Sequence, residues 1–182
     1  MTDDPDRPED TMHWAVEELG RVMRPPAGGG DTVDWEALRA ETGWELPVDY
    51  RDFVAVYGLG AIGDSIGILT PAFGGYPYED HLLHGTEWPP EDGTLTWASN
   101  EAGDDFLWTC VGEPDEWRVV FRPRNRRGEH QYDMGMAEFL LRLVRREIRP
   151  PLGAELEFPA TFVSWREEET RLLDEDGDLE GF

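Results

Sequence analysis

The chain has 182 residues, room for one domain with a core of roughly 120 to 150 residues and for no second one. Forty acidic against sixteen basic residues give a formal charge of -24, a field that repels nucleic-acid phosphates and anionic membranes and attracts a basic protein. One cysteine excludes an intrachain disulfide framework, no apolar run approaches the roughly 18 residues of a membrane span, and no signal-peptide pattern opens the sequence, so cytoplasmic residence is expected.

Residues 1–11 are acidic, contain proline and carry few large apolar side chains, and so read as a flexible leader to a single domain over 12–173. Met12, Val16, Leu19 and Met23 recur at helical spacing, and Pro25 and Pro26 stop that helix before the loop PPAGGGD. Asp34 suits the N-cap of a short helix carrying Trp35 and Leu38, with Gly43 where a left-handed cap would end it. Pro47 suits the first turn of the next helix, whose Tyr50, Phe53, Val54 and Tyr57 share a face before Gly58 and Gly60 close it. The two short helices are expected to pack back to back.

Residues 65–69 read as a first strand, followed by a long loop over 71–93 that holds Tyr76, Tyr78, His81, His84 and Trp88. The runs 94–99, 105–110 and 117–121, separated by NEAGD and VGEPDE, have the pattern of an antiparallel meander. Leu95 and Trp97 share a face of the first, and Phe106 and Trp108 a face of the second. A short strand near 131–132 is expected after the turn RPRNRRGEH, and Met136, Phe139, Leu140, Leu143 and Val144 define an amphipathic helix that ends before Pro150. A last helix over 161–173, with Phe162, Trp165 and Leu172 or Leu173 inward, leads to an acidic tail over 174–182. Strands in mid-chain with helices on both sides predict an α+β fold: a central antiparallel sheet of about four to six strands with N-terminal and C-terminal helices packed on it.

Two common signatures of catalysis are missing: no Walker-type phosphate loop and no HExxH occur. His81 and His84, with Glu79 and Asp80 nearby, have a metal-binding spacing only on a helix, whereas they lie in a Pro/Gly-rich loop and read better as surface histidines. Glu101, Asp104 and Asp105 form a carboxylate group of the kind a glycosidase divides between acid and base, but turn hydrogen bonds after Gly103 explain Asp104 more simply. Asp174, Asp176 and Asp178 alternate like the start of a calcium loop, yet Gly177 is misplaced for one and the closing Glu is absent. Arg122, Arg124, Arg126 and Arg127 crowd one turn, as an anion contact or as solvated charges. Cys110, without a histidine nearby in sequence, reads as structural. No metal or cofactor is expected.

The stretch W-x2-L-x3-TGWELPVDYRDFVAVYGLGAIGD, residues 35–64, resembles the N-terminal signature of the SUKH superfamily through Trp35, Leu38, Leu46, Pro47, Asp49, Tyr50, Phe53, Tyr57, Gly58 and Gly60. WASNEAGDDFLWTCVGEPDEW, 97–117, is similar to that family's strand, GD turn, Trp-ending strand and PD-x-W turn, and MAEFLLRLV to its last helix, so that the resemblance spans 35–148. It implies a non-enzymatic α+β module, used in bacteria chiefly as immunity proteins that neutralise partner toxins, often nucleases, and less often as regulators such as the fungal cell-wall-assembly regulator. The shared residues look like scaffold, and partner contacts are expected in loops and exposed sheet. On position and charge those contacts are Glu79, Asp80, Glu101, Asp104, Asp105, Glu113, Asp115 and Glu116, with Tyr76, Tyr78, Trp88 and Trp117 as aromatic anchors. The partner expected is a protein, a basic toxin domain whose functional surface is occluded; the alternatives are a regulatory scaffold for several endogenous proteins and, resting on Glu101 and Asp104, a carboxylate hydrolase.

Overall fold

The computed structural model describes residues 11–63, 65–71, 82–83, 87–125 and 128–179, with side chains described to 174. Three helices open it: α1 (Trp14–Val22), α2 (Trp35–Thr42) and α3 (Val48–Val56). The first begins two residues later than its apolar pattern, because the ring Nδ1 of His13 accepts the Ala15 amide at 3.3 Å and so caps it, leaving Met12 exposed. Asp34 caps α2 by accepting from the Ala37 amide at 2.9 Å, and Gly43 ends it at φ 78°.

Seven strands follow: β1 (Gly60–Ile62), β2 (Ile66–Ile68), β3 (Thr94–Asn100), β4 (Asp105–Thr109), β5 (Arg118–Arg122), β6 (His130–Tyr132) and β7 (Phe162–Ser164). They form one antiparallel sheet in the order β6-β5-β4-β3-β2-β1-β7, a meander to which β7 returns at the β1 edge. The α+β class expected from the sequence is what forms, with one strand more than the upper count. Gly60 belongs to β1 and not only to the end of α3: a Cβ there would lie 2.2 Å from the Val163 carbonyl oxygen, so glycine is what lets β7 approach. On the other side of the long connection, α4 (Met136–Val144) and α5 (Trp165–Leu179) complete the chain. Residues 162–164, expected to begin the last helix, pair with β1 instead, and α5 continues through 174–179, which composition had assigned to a tail.

One face of the sheet carries the core. Trp97, Phe106, Trp108, Val119 and Phe121 point to it, and α1, α3 and α4 pack on one another above them. Phe139 of α4 meets Phe106 with ring centroids 5.9 Å apart and Tyr132 at 4.9 Å, while Tyr50 of α3 stands edge-on to Trp108 at 5.2 Å. Burying each such ring contributes roughly 1.5–3 kcal/mol. The expected pairing of α2 with α3 is replaced by this trio; α2 lies at its rim, where Trp35 stands edge-on to Tyr50 at 6.2 Å.

Two buried aspartates tie the layers together. Asp49 of α3 accepts from the Ala137 amide at 2.9 Å and so caps the start of α4; burial raises its pKa against the pull of that hydrogen bond. Asp104, 3% exposed, accepts from Asn100 Nδ2 at 2.9 Å, the Arg124 amide at 3.0 Å and the Gly153 amide at 2.7 Å, which fastens the β3–β4 turn to two other segments.

Candidate functional site

The segments leading into β3 and out of β4 meet at one end of the sheet. The Cys110 amide donates to the Gly93 carbonyl at 2.8 Å, and the 3-10 turn Pro114–Glu116 then returns the chain to β5. Its geometry is held from both sides. The Val48 amide at the start of α3 donates to Asp115 Oδ1 at 2.7 Å, and the Glu113 amide donates to Glu116 Oε2 at 2.9 Å.

Trp88 packs on this turn. Its ring stacks on that of Trp117 with centroids 6.2 Å apart and 22° between planes, and stands edge-on to Trp44 at 4.8 Å. The backing is rigid because Trp117 is itself packed on Trp108 at 6.0 Å and its indole nitrogen donates to the Gly112 carbonyl at 3.4 Å. Trp88 keeps 44% of its surface in solvent, and Val111, on the adjoining strand exit, keeps 74%. Around these two apolar side chains Glu87, Glu91, Asp92, Glu113, Asp115 and Glu116 are all exposed. An ordered aromatic anchor ringed by carboxylates has the composition of a protein-contact surface, since the ring offers area at little entropic cost and the charges select a basic partner.

The local chemistry favours fixed charge over reactivity. Asp92 accepts from the Thr94 amide at 3.0 Å, and hydrogen bonds at Thr94 hold its carboxyl below the usual range. Cys110, at the base of the patch, is pushed up to about 12 by burial and by the charge of Asp92, which disfavours its thiolate at neutral pH.

The contact residues expected from the sequence do not form one group. Trp88, Glu113, Asp115, Glu116 and Trp117 gather in this patch, whereas Glu101, Asp104 and Asp105 lie at the far end of β4, roughly 14 Å away for a five-residue strand. Two of the expectations require correction. Trp117 is 1% exposed and supports Trp88 from beneath, so it presents no anchor to a partner. Asp104 faces inward with both oxygens taken by donors, which removes it from the surface and from any acid–base pair with the exposed Glu101. Tyr76, Tyr78, Glu79, Asp80, His81, His84, Arg126 and Arg127 lie outside the described residues.

Arg122 Nε pairs with Glu129 at 2.7 Å, so that arginine is answered within its own hairpin. Asp174, Asp176 and Asp178 fall in α5, not in a calcium-type loop. Among the described residues no group of three or more His, Cys, Asp or Glu side chains is placed to hold a metal ion, and no helix is long and apolar enough to cross a membrane. The sequence reading missed Val111, Glu87, Glu91 and Asp92; the signal available was an apolar residue stranded between a strand end and Gly112, where burial has no neighbour to supply it. Compared with family models, curated proteins and solved structures, the chain matches none.

Proposed function

We propose that the protein is a non-enzymatic binding module that neutralises a basic toxin domain by covering its functional surface. The observation that carries this reading is the exposed Trp88 and Val111 set among six exposed carboxylates on a molecule of charge -24. A nuclease that grips phosphates presents cationic side chains, and a fixed array of carboxylates meets them as the phosphates would. The resemblance of 35–148 to SUKH immunity proteins supports the same reading from the side of sequence.

Reversing Glu87, Glu91, Glu113 and Glu116 together to arginine tests it in cells that express the toxic protein captured with the native chain. Protection is expected to fall by an order of magnitude or more, since close charge pairs at such interfaces are worth about 1.5 kcal/mol or more each. Unchanged protection with the folded variant would remove the electrostatic account.

A regulatory scaffold is the second reading, favoured by α5, an acidic helix that exposes Leu172 and Leu173. Deleting 1–11 and 172–182 separates the two. The antidote keeps its partner without them, because the patch at 87–93 and 110–117 is untouched, whereas a hub that works through its ends loses its partners.

A further inference from the structure

The face of the sheet turned away from α1, α3 and α4 is not flat. Register places Val163, Ala61, Gly67 and Ser99 in one row across β7, β1, β2 and β3. Three of those four side chains are small or absent, and a trough runs over them. Trp165, the first residue of α5, walls it on one side: a Cβ on Gly67 would stand 3.5 Å from the Trp165 Cη2 atom, so the ring lies directly over the glycine. Glu101 from the β3–β4 turn and Glu168 from the next turn of α5 rim the trough, which encloses about 390 Å³. Among the described residues Glu168 pairs only with an exposed Arg171 at 3.7 Å, a pair easily exchanged.

A second observation points to a ligand. Ser65, 8% exposed, lines the same trough, and its Oγ has no hydrogen-bond partner among the described residues. A buried hydroxyl left unsatisfied is a cost to the fold, and a donor entering the trough would relieve it. The requirements converge on one chemical group: planar enough to lie against an indole, cationic enough to answer two carboxylates, and rich in N–H donors. A guanidinium has five donors in a rigid plane, sheds water more readily than an ammonium and stacks on aromatic rings.

We propose that this trough is a receptacle for an arginine side chain of the protein partner. The inference deepens the toxin-binding reading and rests on it for the statement that the guanidinium belongs to a protein; the trough's own chemistry is testable without any partner. It also gives Glu101, at the end of the sheet opposite Trp88, a contact of its own, so that the partner is held at two points.

Titration of the full-length, 15N-labelled protein with Nα-acetyl-arginine amide, followed by amide and indole NMR shifts, reads this directly. Shifts are expected to concentrate on Gly67, Ser99, Glu101 and the Trp165 indole. The uncharged isostere Nα-acetyl-citrulline amide should leave them in place, and Nα-acetyl-lysine amide should bind more weakly. Glu101→Gln and Glu168→Gln should each weaken arginine binding about 2- to 5-fold, and Ser99→Leu, which fills the floor, should abolish it with the remaining spectrum intact. Equal response to citrulline or lysine, shifts spread over the acidic surface, or no shift at the trough would overturn the assignment. Arginine binding by a native protein that gives no protection against any toxin would instead count against the toxin reading and leave the trough standing.

Discussion

Asp49 and Asp104 are both buried and both accept backbone amides, yet the fold asks opposite things of them. At Asp104 burial alone would raise the pKa, but the three donors outweigh it and hold the carboxyl below its ordinary value of 3.8. A group depressed in this way contributes stability that is fully present above that value and is lost as pH falls through the lower, folded-state value. Asp104→Asn places an amide group against one of the donors whichever way it turns. It is expected to lose about 1–3 kcal/mol at neutral pH, with the gap from the native protein narrowing in acid as Asp104 itself protonates. At Asp49 burial wins and the pKa is raised, so its contribution declines as pH rises from 3.8 towards the folded-state value. Asn at 49 keeps an oxygen for the Ala137 amide and sheds the buried charge, and Asp49→Asn is expected to stay within about 1 kcal/mol of the native protein at pH 7. Urea denaturation of both variants from neutral pH down to below 3.8 checks the pair; equal losses at neutral pH would contradict the distinction.

At the scale of elements, what the sequence made legible was whatever has a local cause. Asp34 and Gly43 bracket α2 because a cap and a left-handed terminus are properties of single residues. The β3–β5 meander shows in the alternation of Leu95, Trp97, Phe106 and Trp108. Strands β1 and β7 were hidden because each has three residues, too few for a period, and because their pairing joins positions about a hundred apart. The one local trace was Gly60, whose role depends on the Val163 carbonyl. Gly60→Ala is accordingly expected to push β7 from the edge and cost about 1–3 kcal/mol, read as a lower denaturation midpoint; an unchanged midpoint would mean that β7 contributes little. The candidate surface was legible only in part for the same reason. Carboxylates can be counted in a sequence, but that 87–92 adjoins 113–116 while Glu101 stands a strand's length away is a consequence of register.

For the whole molecule, the charge of -24 and the fixed anchor of Trp88 make separate contributions, and salt distinguishes them. Screening over about 8–10 Å near physiological ionic strength slows the encounter and loosens rim charges, while a buried aromatic contact is left largely intact. The most direct measurement is capture of partners by the tagged, full-length protein from the cells that encode it, washed at low and at high salt, beside the variant with Glu87, Glu91, Glu113 and Glu116 reversed. The account predicts one dominant protein that ends in a small, basic, toxic domain, depleted by high salt and absent from the charge-reversed sample. Several housekeeping proteins held equally by both forms, with no toxin among them, would contradict it.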